Sequence, residues 1–151
     1  MPQTHPNSHL TDVLHARGQR VTPQRLVIHR TLQELNRHVS AEEVLGAVEE
    51  RLPNVSLPTV YSTLELLGEL GMVRRVSAGP GAALYDPRID EHHHLVCRNC
   101  RRVEDLDVKV DTAAALRAAR GNGFEPADAE LVVSGLCRNC AKRPRATRSA
   151  R

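Results

Sequence analysis

Apolar residues recur at helical spacing through the first half of the chain and at strand-like spacing through the second. Leu10, Val13 and Leu14 form one stripe between Ser8 and Arg17, ended by Gly18. Thr22-Pro23 supplies an N-cap followed by proline at the first helical position, and Leu26, Val27, Leu32 and Leu35 give the next apolar face. Ser40-Ala41-Glu42-Glu43 is a capping box, in which hydroxyl and carboxylate each satisfy a free backbone N–H. Val44, Leu45, Val48 and Leu52 follow, and Pro53-Asn54 stops the helix. A fourth helix, from about Ser56 to Leu70, buries Val60, Leu64 and Leu67. Residues 72–76 and 83–85, joined by a glycine-rich turn, read as a β-hairpin. Short helices followed by a two-stranded wing predict a winged helix-turn-helix over residues 10–84.

The pattern changes after Asp86-Pro87-Arg88. Strands are expected at 93–97, 102–107 and 130–135, interrupted by a helix from Asp111 to Arg120 that ends at Gly121-Asn122-Gly123. The fold class is therefore α+β. A winged-helix unit (1–85) precedes a small α/β unit (86–140) and a basic tail (141–151) that reads as a solvated, disordered end.

Composition sharpens this picture in two ways. Aromatic residues are only Tyr61, Tyr85 and Phe124. A core of Leu, Val and Ala in a unit of about 50 residues is thin and calls for a metal or a partner subunit. The formal charge of +3 looks basic, but the tail alone carries five basic residues and no acids. Residues 1–86 and 87–140 are each net −1. Total charge is thus no argument for nucleic acid. The chain has no apolar run long enough to span a membrane and no signal-peptide pattern at its start, which predicts a cytosolic protein.

Cys97-x2-Cys100 and Cys137-x2-Cys140 are separated by 36 residues. Two such turns can place four thiolates in a tetrahedron, the arrangement Zn²⁺ takes in closed structural sites. Disulfides fit a cytosolic chain poorly, and the duplicated spacing argues against a lone redox pair. Glu91-His92-His93-His94 lies just before the first pair. Strand alternation sends His92 and His94 to one face and His93 to the other. Asp86 lies upstream, and Asp105 would come alongside on an antiparallel return. Two imidazoles and two carboxylates suit Fe²⁺, Mn²⁺ or Zn²⁺. The plainer alternative is a solvated polar strand edge. Glu104 adjoins Asp105, so a one-residue slip in register would exchange them; the spacing of the cysteine turn favours Asp105.

Together these features resemble the ferric uptake regulator superfamily of dimeric, metal-dependent bacterial repressors. The resemblance covers roughly residues 10–140 and includes Arg20-Val21-Thr22-Pro23-Gln24-Arg25, Pro58-Thr59-Val60-Tyr61 and His92-His93-His94-Leu95-Val96-Cys97. It implies a regulatory metal site at a hinge between the units, with ligands His38, Asp86, His92, His94 and Asp105. His38 enters only by this resemblance. Relatives that sense zinc place Cys where Asp86 stands, nickel sensors are richer in His, and iron sensors commonly carry Glu at the positions of Asp86 and Asp105. A further metal site of the iron sensors maps here to Glu91, His93, Thr112 and Ala129, a broken set. Aspartate at both carboxylate positions resembles the peroxide-sensing branch. There, bound Fe²⁺ and H₂O₂ oxidise a ligand histidine, which would be His38 or His92 here, and the repressor leaves DNA. Mn²⁺ in the same site would repress without responding to peroxide. The same architecture also suits a repressor that senses iron availability. Either is stoichiometric regulation, not enzymatic turnover, and a hydrolytic zinc enzyme would leave residues 10–84 unexplained.

The recognition helix is expected to present Ser56, Thr59, Tyr61, Ser62 and Thr63 to DNA. Arg17, Arg20 and Arg25 are candidates for phosphate or minor-groove contact. The family resemblance implies a homodimer on double-stranded DNA at an AT-rich inverted repeat.

Overall fold

The computed structural model describes residues 8–77, 79 and 81–143. Most of the basic tail (144–151) lies outside the described residues, as do Ala78 and Pro80 of the expected hairpin turn. The chain divides into two compact units, Met1–Ile89 and Asp90–Arg151. Among the described residues no helix is long and apolar enough to cross a membrane.

The first unit contains α1 (Ser8–Ala16), α2 (Pro23–Leu35), α3 (Ala41–Val48), α4 (Leu57–Glu69), β1 (Arg74–Val76) and β2 (Leu84–Asp86). The helices α2, α3 and α4 begin where side chains satisfy free N–H groups. Thr22 Oγ1 accepts from the Arg25 N–H at 3.3 Å and Ser56 Oγ from the Thr59 N–H at 3.4 Å. At Ser40 the box closes in both directions, at 3.2 Å and 2.8 Å. Asn36, left-handed at φ 45°, ends α2 and returns its N–H to the Leu32 carbonyl. Leu10, Leu14, Ile28, Leu32, Val44, Val48, Val60, Leu64 and Leu67 form one buried cluster. The wing pairs β1 with β2 antiparallel, Arg75 opposite Tyr85. A further bridge, Val39 to Tyr85, ties the chain before α3 to β2. Asp86, expected to open the second unit, instead closes β2, because its backbone pairs with Arg74.

The second unit contains β3 (His93–Cys97), β4 (Val103–Leu106), α5 (Ala113–Gly121), β5 (Val132–Gly135) and α6 (Arg138–Ala141). The sheet order is β4-β3-β5, with β4 antiparallel and β5 parallel to β3. The helix α5 makes the crossover between β4 and β5, as a parallel pairing requires. It starts at Ala113, two residues later than expected, where the Asp111 carboxylate accepts the Ala113 N–H at 2.9 Å. The short α6 was not expected from the sequence. Among the described residues of this unit, burial is confined to residues 92–94, 96 and 97, on or beside β3. No α5 side chain is buried, and Leu131, Val132, Val133, Leu136 and Phe124 stand exposed. The thin core expected from composition is what the unit has.

Candidate metal centres and nucleic-acid interface

The turn after β3 and the N-terminus of α6 bring the four cysteines together. All four Sγ atoms lie within 4.8 Å of one another, and none forms a disulfide. The first turn is held by the Cys97 N–H on the Arg102 carbonyl and the Arg101 N–H on the Cys97 carbonyl, with Arg101 left-handed at φ 65°. The Arg98 N–H reaches the Gly135 carbonyl at 2.8 Å and so fixes the first turn to the strand that leads into the second.

The Cys137 N–H donates to Cys97 Sγ at 3.4 Å, and the Asn99 amide donates to Cys140 Sγ at 3.2 Å. Backbone donors, that of Cys137 foremost, pull the Cys97 thiol down to about 6. The Cys140 N–H similarly lowers Cys137. At Cys100 the Arg102 N–H acts in the same sense, but neighbouring Cys97, burial and the other two sulfurs outweigh it and push the thiol up to about 11. Four thiolates gathered this closely would repel one another, and a cation among the sulfurs offsets that repulsion. Zn–S bonds of about 2.3 Å in a tetrahedron give sulfur–sulfur edges of about 3.8 Å, and Cys100 and Cys137 stand 3.8 Å apart. The donor set fits a structural zinc ion.

The remaining candidate ligands form two groups, one in each unit. In the first unit the Val39–Tyr85 bridge carries its neighbours with it, so His38 meets Asp86. His38 Nε2 lies 3.2 Å from Asp86 Oδ2, with only 11% and 3% of the two side chains exposed. The other carboxylate oxygen of Asp86 accepts the Arg88 N–H at 2.9 Å. The sequence signal for His38 was too small to read locally, being one bridged residue between two helices.

In the second unit, His92 and His94 share a face of the chain with ring centroids 4.7 Å apart. Asp105 pairs across from His94 in the register, and its Oδ1 is 3.6 Å from His92 Nε2. Glu104 turns the other way and pairs with Arg102 at 2.8 Å, which settles the ambiguity of register in favour of Asp105. His92 Nδ1 donates to the Asp90 carbonyl at 2.7 Å, so the neutral ring carries its lone pair on Nε2, the atom that faces Asp105. His94 is wholly buried, and Glu130 Oε2 stands 3.6 Å from its Nδ1. His93, on the opposite face, accepts the Leu131 N–H on Nδ1 at 3.1 Å. Imidazole and carboxylate donors in both units suit a first-row divalent ion harder than a thiolate site selects.

On the DNA-binding unit, Arg17 and Arg20 are exposed and Arg25 is half-buried, its guanidinium donating to the Arg20 carbonyl at 2.6 Å. Ser56 caps α4, Thr59 is half-buried beside it, and Ser62 is exposed, its hydroxyl on the Thr59 carbonyl. The Tyr61 hydroxyl donates to Glu42 at 3.1 Å, a partner that sequence reasoning missed. Thr63 corrects the expected DNA-facing set. It is 4% exposed, because it falls on the same side of α4 as Val60 and Leu67 and fills the core.

A winged-helix unit followed by a cysteine-clustered α/β unit with His and Asp donors defines a metal-responsive transcription regulator. Residues 16–134 match the model of the ferric uptake regulator family. Ferric uptake regulation protein 1 of Mycolicibacterium fortuitum is 39% identical over 123 residues, covering 81% of this chain and 76% of that one. The peroxide operon regulator of Bacillus subtilis is 30% identical over 132 residues, covering 87% and 91%. The ferric uptake regulator of Pseudomonas aeruginosa, solved with manganese, superposes with a TM-score of 0.64 at 30% identity, covering 85% and 97%. The chain belongs to the ferric uptake regulator family, whose members are transcription regulators and not enzymes.

Proposed function

We propose that the chain is a cytoplasmic, homodimeric repressor that binds AT-rich inverted repeats and responds to peroxide. Its regulatory Fe²⁺ or Mn²⁺ is held by His38, Asp86, His92, His94 and Asp105. The observation that carries this reading is that both histidine–carboxylate pairs use aspartate, Asp86 against His38 and Asp105 against His92. With ligands drawn from both units, the orientation of the DNA-binding unit depends on whether all five are engaged. Affinity for DNA is then set by the difference in cation binding between orientations. The exposed apolar residues of β5 and its flanks support pairing with a second copy, which spaces two recognition helices for successive major grooves.

A bound ferrous ion would supply the one-electron chemistry that turns H₂O₂ into an oxidant of a neighbouring imidazole. In net terms a ring C–H and H₂O₂ become a ring C=O, with a proton on nitrogen, and water. His92 and His38 are the targets, and the altered ring is a poorer ligand. The cysteine cluster takes no part. A second reading, repression by iron availability alone, is favoured by the higher identity to relatives named for ferric uptake. Brief H₂O₂ treatment of the Fe²⁺-loaded protein, followed by mass spectrometry, separates the two. One added oxygen on the peptide holding His92 and His94, or on that holding His38, with loss of DNA binding, supports peroxide sensing. Unmodified histidines with intact DNA binding leave the iron-availability reading.

A further inference from the structure

Of the three adjacent histidines, His93 occupies a position where the family resemblance implies a ligand of a further metal site, yet its intended companions read Glu91, Thr112 and Ala129. The ring is not left idle. It is 3% exposed, and its Nδ1 accepts the Leu131 N–H at 3.1 Å. An acceptor nitrogen carries no proton, so the neutral His93 ring is protonated on Nε2. Its neighbour His92 has the opposite tautomer, with the proton on Nδ1 facing the Asp90 carbonyl.

Leu131 is bonded twice to β3. While its N–H goes to the His93 ring, its carbonyl accepts the His94 N–H at 3.1 Å. Regular pairing of β5 begins only at Val132, opposite His94. All of β5 is exposed, so packing does little to hold the segment before it. The residue so anchored is preceded by Glu130, whose carboxylate stands 3.6 Å from the buried His94 ring. A negative charge held beside a ligating imidazole raises its basicity and its affinity for a cation.

We infer that His93 is not a metal ligand but a positioning residue. Its Nδ1 clamps Leu131 to β3 and thereby seats Glu130 behind His94. This rests on the proposal that His94 binds the regulatory ion. Asparagine offers an oxygen near the position of Nδ1, whereas leucine offers none.

The test is Mn²⁺ binding by the full-length, zinc-loaded protein, read by the electron paramagnetic resonance of free Mn²⁺. His93→Leu and Glu130→Gln each weaken Mn²⁺ binding about tenfold, His93→Asn restores most of the affinity, and bound zinc is unchanged in all three. Independently, nitrogen NMR of the wild-type chain finds His93 protonated on Nε2, with the Leu131 amide protected from exchange. A ring protonated on Nδ1, or His93→Leu with wild-type Mn²⁺ affinity, overturns the inference. The parent proposal fails separately, if the wild type binds no Mn²⁺ or if His92→Ala binds it as well as the wild type.

Discussion

The Nδ1 of His92 lies 2.7 Å from the carbonyl oxygen of Asp90. A carbonyl can only accept, so the proton sits on Nδ1 and the ring offers Nε2 on the side of Asp105. This is the outer hydrogen bond that orients a ligating imidazole before an ion arrives. Such outer partners are worth about 10–100-fold in metal affinity, so removing the ring itself costs more. His92→Ala lowers Mn²⁺ affinity by at least about 100-fold and abolishes metal-dependent DNA binding, measured by gel shift with and without Mn²⁺. Zinc content and the far-ultraviolet circular dichroism stay as in the wild type. Loss of the fold in that variant would show that His92 is chiefly structural.

His29 is expected to make the DNA-binding unit sensitive to acid. It is 2% exposed, and its Nδ1 has no hydrogen-bond partner among the described residues. Burial, and to a smaller degree the nearby His9, holds its pKa below the ordinary 6.5. The sign follows from linkage. As pH falls through about 6.5 the unfolded chain takes up a proton that the folded chain resists. The stability from neutral His29 is full above that value and is lost as pH falls through it toward the lower folded pKa. Urea midpoints of the first unit should therefore drop between pH 7.5 and 5 by more in the wild type than in His29→Leu. Parallel pH profiles for the two proteins would assign the acid limit elsewhere.

The sequence shows whatever short-range bonds decide. Thr22, Ser40 and Ser56 mark helix starts because each satisfies an N–H three residues away. The cysteine pairs and the His-x-His alternation are local in the same sense. His38 could not be found this way, since it meets Asp86 only through the Val39–Tyr85 bridge, a pairing without periodicity across 46 positions. Glu42 beside Tyr61, and Leu131 and Glu130 beside the histidines, are likewise set by contacts distant in sequence. Thr63 misled for a different reason: a small polar residue on a helix reads as surface until the packing of the neighbouring helices is known.

Neighbouring Thr63 and Ser62 on α4, one buried and one exposed, should respond oppositely to truncation. Thr63→Ala removes buried atoms and costs about 1–2 kcal/mol, read as a lower thermal midpoint, with the DNA sequence preference unchanged. Ser62→Ala removes only an exposed hydroxyl bonded to its own helix. Its stability stays within about 0.5 kcal/mol of wild type, while DNA affinity falls. Fluorescence anisotropy with a labelled operator, alongside thermal melts, separates the two effects. A Thr63→Ala variant that melts normally but changes its sequence preference would put Thr63 back at the DNA surface.

The second unit has so few buried side chains that its cysteine cluster must do much of the work of a core. In the wild type the Cys97 sulfur is bonded by the Cys137 N–H and drawn toward the thiolate form, down to about 6. Serine at that position keeps the hydrogen-bond acceptor but remains a protonated hydroxyl, a poor ligand for zinc. Cys97→Ser should bind zinc roughly 100-fold more weakly, measured by competition with a chromophoric chelator. Because the exposed apolar residues of β5 lie in the same unit, the variant should also lose its dimer in sedimentation at concentrations where His92→Ala remains dimeric. The first unit has its own buried cluster and needs no metal to form it. Amide exchange should therefore find α2–α4 protected in Cys97→Ser while β3–β5 exchange freely. Uniform loss of protection across both units would mean that zinc supports the first unit as well.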